Sequence, residues 1–265
     1  MKVFISADIE GCTTTTFWDE TDPKKPEYAL YAQRMTEEVL AACEGANGAG
    51  ATEIIVRDAH NFGNNIDISK LPENVKIIRG WSEHPYSMVE GVDDSFDAAI
   101  FIGYHSAGSR SGNPLAHTYS QRNIYVKLNG VIASEFMLYS YAALLEGVPT
   151  VFLSGDKMLC EESKDLHPGL ITCTVKEGLG GRTLNYHPAN TLKEIKAKVE
   201  SALKQDLKSC LGKLPEEFEL EVCYRKPEEA ERFSYYPGVK KISDNTLTYQ
   251  SKDYFEVLRT FNFIN

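Results

Sequence analysis

Short apolar runs alternate with amphipathic segments along the first two-thirds of the chain. The runs are KVFISAD, TEIIVRDAH, VKIIRG, DAAIFIGYH and TVFLSGD, and each ends in polar residues or glycine. The segment PEYALYAQRMTEEVLAACEGANGAGA has apolar residues close to helical spacing, begins near Pro26 and ends in glycines. Asn129 and Gly130 predict a hairpin turn, and Ser134 is a candidate N-cap for the next helix. Buried strands that alternate with helices predict an α/β fold with a mostly parallel sheet flanked by helices.

The pattern changes after about residue 190. A charged amphipathic segment, NTLKEIKAKVESALKQDLKSCL, predicts a helix. Three strand-like runs follow, EFELEVCY, GVKKIS and TLTYQS, and the chain closes with the helical pattern KDYFEVLRTFNFI. We therefore predict a metal-binding α/β domain over residues 1–190 and a small α+β domain over residues 191–265.

Composition and charge narrow the classes of partner. Of the 265 residues, 42% are hydrophobic and 25% are charged, which is typical of a soluble globular protein. The net charge of −10 argues against nucleic acid, whose phosphates would be repelled. The six cysteines are scattered without a C-x-x-C pair, as in reduced intracellular proteins. No apolar run approaches the roughly 20 residues that cross a membrane. We expect a cytoplasmic protein without a membrane partner.

Residues that can bind metal follow several of the predicted strands. Asp8 and Glu10 follow the first strand, His60 and His105 follow two later ones, and Glu135 begins a helix after the hairpin. The carboxyl ends of parallel strands meet at one edge of a sheet, and Asp8 and Glu10, two positions apart, can face the same side. Any one of these carboxylates could instead belong to a solvated turn. Together they form a mixed nitrogen and oxygen ligand set that suits zinc or a similar ion, and two metals sharing a carboxylate would need about this many ligands.

The motif SADIEG resembles the S-x-D-x-E-G signature of the M55 family of D-aminopeptidases, which are dinuclear zinc peptidases. The similarity continues in order through RMTEEV, VRDAHN, SMVEGVDDSFDAAIFIGYH, AHTYS, NGVIASE and VFLSGDK, over about residues 1–160. A weaker similarity extends through TVKEGLGGRTLNYHPA. Ordered matches over such a span are more specific than any single motif.

The resemblance implies two zinc ions per chain. Asp8 would bridge them, and Glu10 would complete the protein ligands of the first. His60, His105 and Glu135 would hold the second. The family also implies cleavage of short peptides from the N-terminus, with D-amino acids expected there, and assembly into a ring-like homodecamer.

Two further residues, His117 and Asp58, are candidates for roles other than metal ligation. The resemblance makes His117 the catalytic histidine rather than a ligand, acting as a proton donor or as a stabiliser of the oxyanion. Asp58, two residues before His60, either fixes an imidazole tautomer or only caps its own loop.

Three departures from the family pattern leave every ligand in place. The segment CTTTTFWDE replaces an aliphatic residue and small residues after IEG, and Trp18 within it is a candidate for lining the pocket. Met137 and Tyr139 follow Glu135 where a small residue and Asn are usual, and Lys157 stands where a second acidic residue is common. These changes concern substrate size and stereochemical preference.

Two other functions explain part of the same pattern. VFISADIEGCT also resembles the D-x-D-G-T signature of haloacid-dehalogenase-type phosphatases, which use Mg²⁺. That hypothesis requires Glu10 in place of the second Asp and gives no role to His60, His105, His117 or Glu135. A non-catalytic, metal-stabilised peptide-binding assembly would need the ligands but not His117.

Overall fold

The computed structural model describes residues 1–265. The N-terminal part of the chain builds a seven-stranded sheet in the order β3-β2-β1-β4-β7-β8-β9. Its strands are β1 (Lys2–Ala7), β2 (Glu53–Asp58), β3 (Val75–Ile78), β4 (Ala98–Tyr104), β7 (Thr150–Asp156), β8 (Ile171–Gly178) and β9 (Thr183–Asn185). All neighbours pair in parallel except β8 and β9. The predicted α/β fold with a mostly parallel sheet is confirmed.

Alternating side chains of the inner strand β1 point to both faces of this sheet. Val3 and Ile5 of β1 belong to the core beneath α1 (Tyr28–Gly48) and α4 (Pro188–Leu203). Phe4 points into the opposite core, which includes residues of α2 (Glu135–Leu145) and α6 (Tyr254–Ile264). Helices α1 and α4 approach closely at Gly45, where an added Cβ would lie 2.4 Å from the carbonyl oxygen of Lys196. No helix is both long and apolar enough to span a lipid bilayer.

A second, antiparallel sheet has the order β11-β12-β10-β5-β6. It combines β5 (Asn123–Leu128) and β6 (Val131–Ile132) with β10 (Phe218–Tyr224), β11 (Lys240–Lys241) and β12 (Thr246–Ser251). The predicted hairpin is confirmed, since Asn129 and Gly130 link β5 to β6 with φ angles of 52° and 80°. The short helices α3 (Lys157–Glu162) and α5 (Pro227–Phe233) complete the fold.

Strand pairing does not follow the predicted division at residue 190. The hairpin β5–β6 comes from the middle of the chain but pairs with C-terminal strand β10. Helix α4, which we assigned to the C-terminal domain, contributes Ile195 and Val199 to the core of the parallel sheet. Whether residues 1–190 and 191–265 are separate folding units stays a prediction.

Candidate metal centre

The predicted ligands meet at the carboxyl edge of the parallel sheet. Strand β1 lies between β2 and β4, so the residues after these three strands are neighbours. Asp8 follows β1, His60 follows β2 and His105 follows β4. Glu135 is the first residue of α2, and the hydroxyl of Ser134 accepts a hydrogen bond from the Met137 amide, as the predicted N-cap requires. All the predicted ligands are buried.

Asp8 lies at the centre of the cluster. Its Oδ1 atom is 3.3 Å from Nδ1 of His60, and its Oδ2 atom is 3.5 Å from Nε2 of His105. The same two imidazoles approach the glutamates: His60 Nδ1 is 3.0 Å from Glu10 Oε2, and His105 Nε2 is 3.5 Å from Glu135 Oε2. The two oxygens of Asp8 therefore face different partners, as a carboxylate between two metals would.

The glycine after Glu10 is required by a close backbone approach. A Cβ atom on Gly11 would lie 1.8 Å from the carbonyl oxygen of Tyr104, a distance no side chain can occupy. The Gly11 amide instead donates a hydrogen bond of 2.7 Å to the Gly103 carbonyl. This contact holds the turn that carries Glu10 against the end of β4.

Backbone carbonyls fix the orientation of all three histidines. Nε2 of His60 lies 2.9 Å from the Thr21 carbonyl oxygen. Nδ1 of His105 lies 2.9 Å from the carbonyl of the next residue, and Nδ1 of His117 lies 2.9 Å from the Leu115 carbonyl. A carbonyl can only accept, so each of these nitrogens carries the proton in the neutral imidazole. The other nitrogen of each ring is left with a lone pair facing the carboxylates, the arrangement metal ligation needs.

Several buried polar atoms in this cluster have no hydrogen-bond partner: Asp8 Oδ2, Glu10 Oε2 and His105 Nε2. Unpaired buried polar atoms are rare in proteins because each loses its hydration without compensation. Two groups of side chains hold their ligand atoms within 4.8 Å of one another: Asp8, Glu10 and His105, and also His105, His117 and Glu135. The unpaired atoms and the mixed donor set fit divalent zinc.

Crowded buried charges shift the pKa values in the cluster. Burial, with the charge of Glu10 beside it, raises the pKa of Asp8 to about 8. Burial alone would lower the pKa of His105, but Glu135 and Asp8 outweigh it and raise it to about 10. The same balance, with Glu10 as the main partner, holds the pKa of His60 well above its usual value. These carboxylates attract positive charge, supplied by protons when no metal is bound.

His117 contacts the predicted ligands, but its pKa is lowered, whereas the pKa values of His60 and His105 are raised. Its ring stacks on that of His105 at 4.5 Å, and its Nε2 is 3.5 Å from Glu135 Oε1. Burial and the neighbouring His105 lower the pKa of His117, so it is neutral at pH 7. Trp18 packs edge-on against it, with ring centroids 5.4 Å apart. His117 therefore reaches the cluster, and distance alone allows it to be a ligand as well as a base.

Most of the cluster lines a cavity of about 570 Å³, to which Asp8, Glu10, His60, His117 and Glu135 contribute. Both tryptophans of the chain line it, and Trp18 is therefore a lining residue, as predicted. The wall also carries Asp22 and Glu83, and no lysine or arginine lines the cavity. The volume is within the range of small-ligand sites and can hold a short peptide.

The structure decides between the two roles considered for Asp58. Its carboxylate accepts hydrogen bonds from the Asn65 amide at 2.6 Å and the Ile66 amide at 2.9 Å, and a third from the Asn65 side chain. No hydrogen bond joins it to an imidazole; the Asn65 side chain bonds the His60 carbonyl instead. Asp58 caps its own loop.

The residues that depart from the family pattern are spread around the centre. Tyr139 is buried in the core under α2, and Lys157 pairs with Glu177 at 3.2 Å on the surface. Met137 is partly buried against the same core. Of the departing residues, Trp18 and Asp19, both from CTTTTFWDE, line the cavity.

Two buried charged residues near the centre were missed by sequence reasoning. Lys176 of β8 donates to the carbonyl oxygens of Glu10 and Thr15, and Glu38 of α1 accepts from the Thr13 amide at 2.7 Å. Strand β8 carries the alternating apolar residues Ile171, Cys173 and Val175, a strand signal. Nothing in the sequence separates Lys176 or Glu38 from surface residues of the same type.

Comparisons with known proteins agree with this geometry. The model of the M55 peptidase family, described as D-aminopeptidase, matches residues 1–263. A D-aminopeptidase of Bacillus subtilis (strain 168) is 30% identical over 260 residues, which cover 97% of this chain and 93% of the relative. This chain also superposes on a solved structure, the Zn-dependent D-aminopeptidase DppA from Bacillus subtilis, which is described as a self-compartmentalizing protease. The TM-score is 0.93 at 28% sequence identity, and the match covers 100% of this chain and 96% of DppA. The comparisons do not favour the phosphatase or the non-catalytic alternative. The chain belongs to the M55 family of D-aminopeptidases.

Proposed function

We propose that the protein is a zinc-dependent aminopeptidase that removes residues, D-amino acids among them, from the N-terminus of short peptides. The observation that carries this proposal is the division of partners around Asp8, whose two carboxylate oxygens face His60 and His105 separately. Two zinc ions per chain would share Asp8, one bound by Glu10 and the other by His105 and Glu135. His60 would complete the set of five protein ligands, since its Nδ1 atom lies 3.3 Å from Asp8 Oδ1 and 3.0 Å from Glu10 Oε2.

Bound zinc and His117 would have different roles in the reaction. Bound zinc would supply a water that is acidic enough to react near neutral pH. His117 would take a proton from the attacking water at Nε2, because its Nδ1 proton is held by the Leu115 carbonyl. The same atom would then pass the proton to the leaving amine nitrogen. The walls of the cavity would orient the peptide.

We also propose that the protein forms a homo-oligomer, with a ring of ten as the form to test. Its relative DppA is described as self-compartmentalizing. The exposed apolar side chains of Phe17, Tyr235 and Phe263, with 60%, 77% and 62% of their surface accessible, are candidates for burial between copies. Light scattering coupled to size exclusion measures the mass directly. A cytoplasmic location stays our proposal, and six unpaired cysteines agree with it.

The first experiment measures metal content by mass spectrometry together with hydrolysis of D-Ala- and L-Ala-p-nitroanilide. Wild type and His117→Ala are compared side by side. We expect about two zinc ions per chain in both, with a loss in kcat of about 10²–10⁴-fold in the variant, the usual contribution of a general base. Loss of zinc in His117→Ala would make His117 a ligand instead, and phosphatase activity with a single magnesium would refute the peptidase function.

A further inference from the structure

Lys176 is a buried cation that the proposed reaction does not use. It lies in β8 with no exposed surface, among the largest fully buried side chains of the protein. An ammonium group loses its hydration when it is buried, so a lysine in this position requires strong partners. Its position next to Asp156 of β7 in the sheet register places it at the carboxyl edge, directly behind the metal centre.

The hydrogen-bond partners of Lys176 are backbone atoms of one loop, and the carboxylates of Asp156 and Glu38 also attract its charge. Its Nζ atom donates hydrogen bonds to the carbonyl oxygens of Glu10 and Thr15, the latter at 2.5 Å. The side chain of Asn113 donates a second hydrogen bond to the Glu10 carbonyl, at 3.0 Å. Lys176 therefore ties together both ends of residues 10–15, which we call the ligand loop.

The ligand loop has no regular structure of its own to hold it in place. Its residues are turn and bend between β1 and the short helix at Trp18–Glu20. Glu38 of α1 fixes its middle through the Thr13 amide, at 2.7 Å. A metal ligand on such a loop must be held to within a fraction of an ångström, and buried polar contacts of this kind do so.

The other metal ligands do not depend on this loop. Glu135 is the first residue of a helix and accepts from the Tyr119 amide at 2.5 Å, and His105 is oriented by the carbonyl of Ser106. No hydrogen bond joins Lys176 to any of these residues. The hydrogen bonds of Lys176 therefore reach the metal ligands through Glu10.

We propose that Lys176 is a positioning residue for one of the two metals, the one bound by Glu10, and that it leaves the metal bound by His105 and Glu135 unaffected. This inference rests on the proposed two-zinc function. Loss of the Lys176 ammonium removes one of the two side-chain hydrogen bonds to the Glu10 carbonyl and the hydrogen bond to the Thr15 carbonyl, which loosens the ligand loop and lets the Glu10 carboxylate leave its ligating position. Loss of a residue that orients a ligand typically lowers metal affinity by about 10–100-fold.

The test measures zinc affinity by chelator competition in two backgrounds, each of which keeps one metal. Glu135→Gln keeps the metal bound by Glu10, and Glu10→Gln keeps the metal bound by His105 and Glu135. We introduce Lys176→Met into each. The expected result is a 10–100-fold weaker affinity in the Glu135→Gln background and a change of less than about twofold in the Glu10→Gln background. Lys157→Met, a surface lysine at the same edge, is the matched control and should change neither.

Each outcome decides the matter. Equal weakening in both backgrounds, or no weakening in either, would overturn the inference, because a general loss of stability acts on both metals alike. If Lys176→Met does not fold by circular dichroism, Lys176→Gln replaces it, since this change removes the ammonium but keeps a polar side chain at the buried position. A selective loss of affinity in the Glu135→Gln background supports the inference, and its absence overturns it. A wild-type protein that binds fewer than two zinc ions would refute the proposed function itself.

Discussion

Zinc binding should release about three protons from the protein at pH 7. In the metal-free centre the pKa of Asp8 is raised to about 8, that of His105 is raised to about 10, and that of His60 lies well above its usual value. At pH 7 each of these groups holds close to one proton, and each must lose it to become a ligand. With ordinary pKa values the aspartate would hold none and the two histidines about a quarter each, a total of about half a proton.

Isothermal titration calorimetry in two buffers of different ionisation enthalpy measures the protons released. Ionisation of a zinc-bound water adds at most about one to either total, so the two cases stay separate. The overall affinity for two zinc ions should also rise by about three log units per pH unit near pH 7. His117→Ala is the control, because the lowered pKa of His117 leaves it unprotonated at this pH and the release should not change. A release of half a proton in both proteins would refute the view that burial and the neighbouring carboxylates raise the pKa values of Asp8, His60 and His105.

Three further predictions concern other parts of the molecule. Burial lowers the pKa of His167 to about 4, so His167 takes up a proton in the unfolded state before it does so in the folded state as the pH falls. Urea unfolding should therefore show that the metal-free wild type loses about 3 kcal/mol in free energy of unfolding between pH 7 and pH 4, relative to metal-free His167→Gln. Asp58→Ala leaves three buried donors unpaired and should lower the free energy of unfolding by about 3 kcal/mol, and unchanged stability would contradict its capping role. Because no lysine or arginine lines the cavity, peptides with a free α-carboxylate should show a KM about two- to fivefold above that of the matching amides. Glu83→Gln removes a negative charge from the cavity wall and should make this difference in KM smaller.

The sequence predicted the parts of this protein whose signals are local. The strands β1, β2, β4 and β7 are short apolar runs, and the hairpin follows from an Asn-Gly pair at positive φ. Long-range pairing left no such signal: β5 and β6 pair with β10, almost 100 residues later, because of packing that no local pattern encodes. The same limit explains why α4, charged and amphipathic, was placed with the C-terminal residues although its apolar stripe covers the parallel sheet.

In the candidate site, the residue types indicate which side chains can bind metal, but only the structure shows their geometry and their tautomers. Asp8, Glu10, His60, His105 and Glu135 stand out because together they supply a mixed set of carboxylate and imidazole ligands after neighbouring strands and at the start of a helix. Their grouping around Asp8 depends on distances of a few ångströms, and their tautomers depend on backbone carbonyls, neither of which a sequence states.

The metal centre also needs residues whose identity gives no sign of their role. A parallel sheet brings its strand ends together, but it places loop residues only approximately, and Glu10 lies on a loop. The remaining precision comes from contacts behind the loop: the glycine after Glu10 that lets the backbone meet β4, the Glu38 carboxylate at Thr13, and the buried Lys176 ammonium. Lysine and glutamate are usually surface residues, so in a sequence they are read as solvated. A family member could therefore keep every ligand and still bind metal poorly, because the affinity of the centre depends on the groups that hold Glu10 as well as on Glu10 itself.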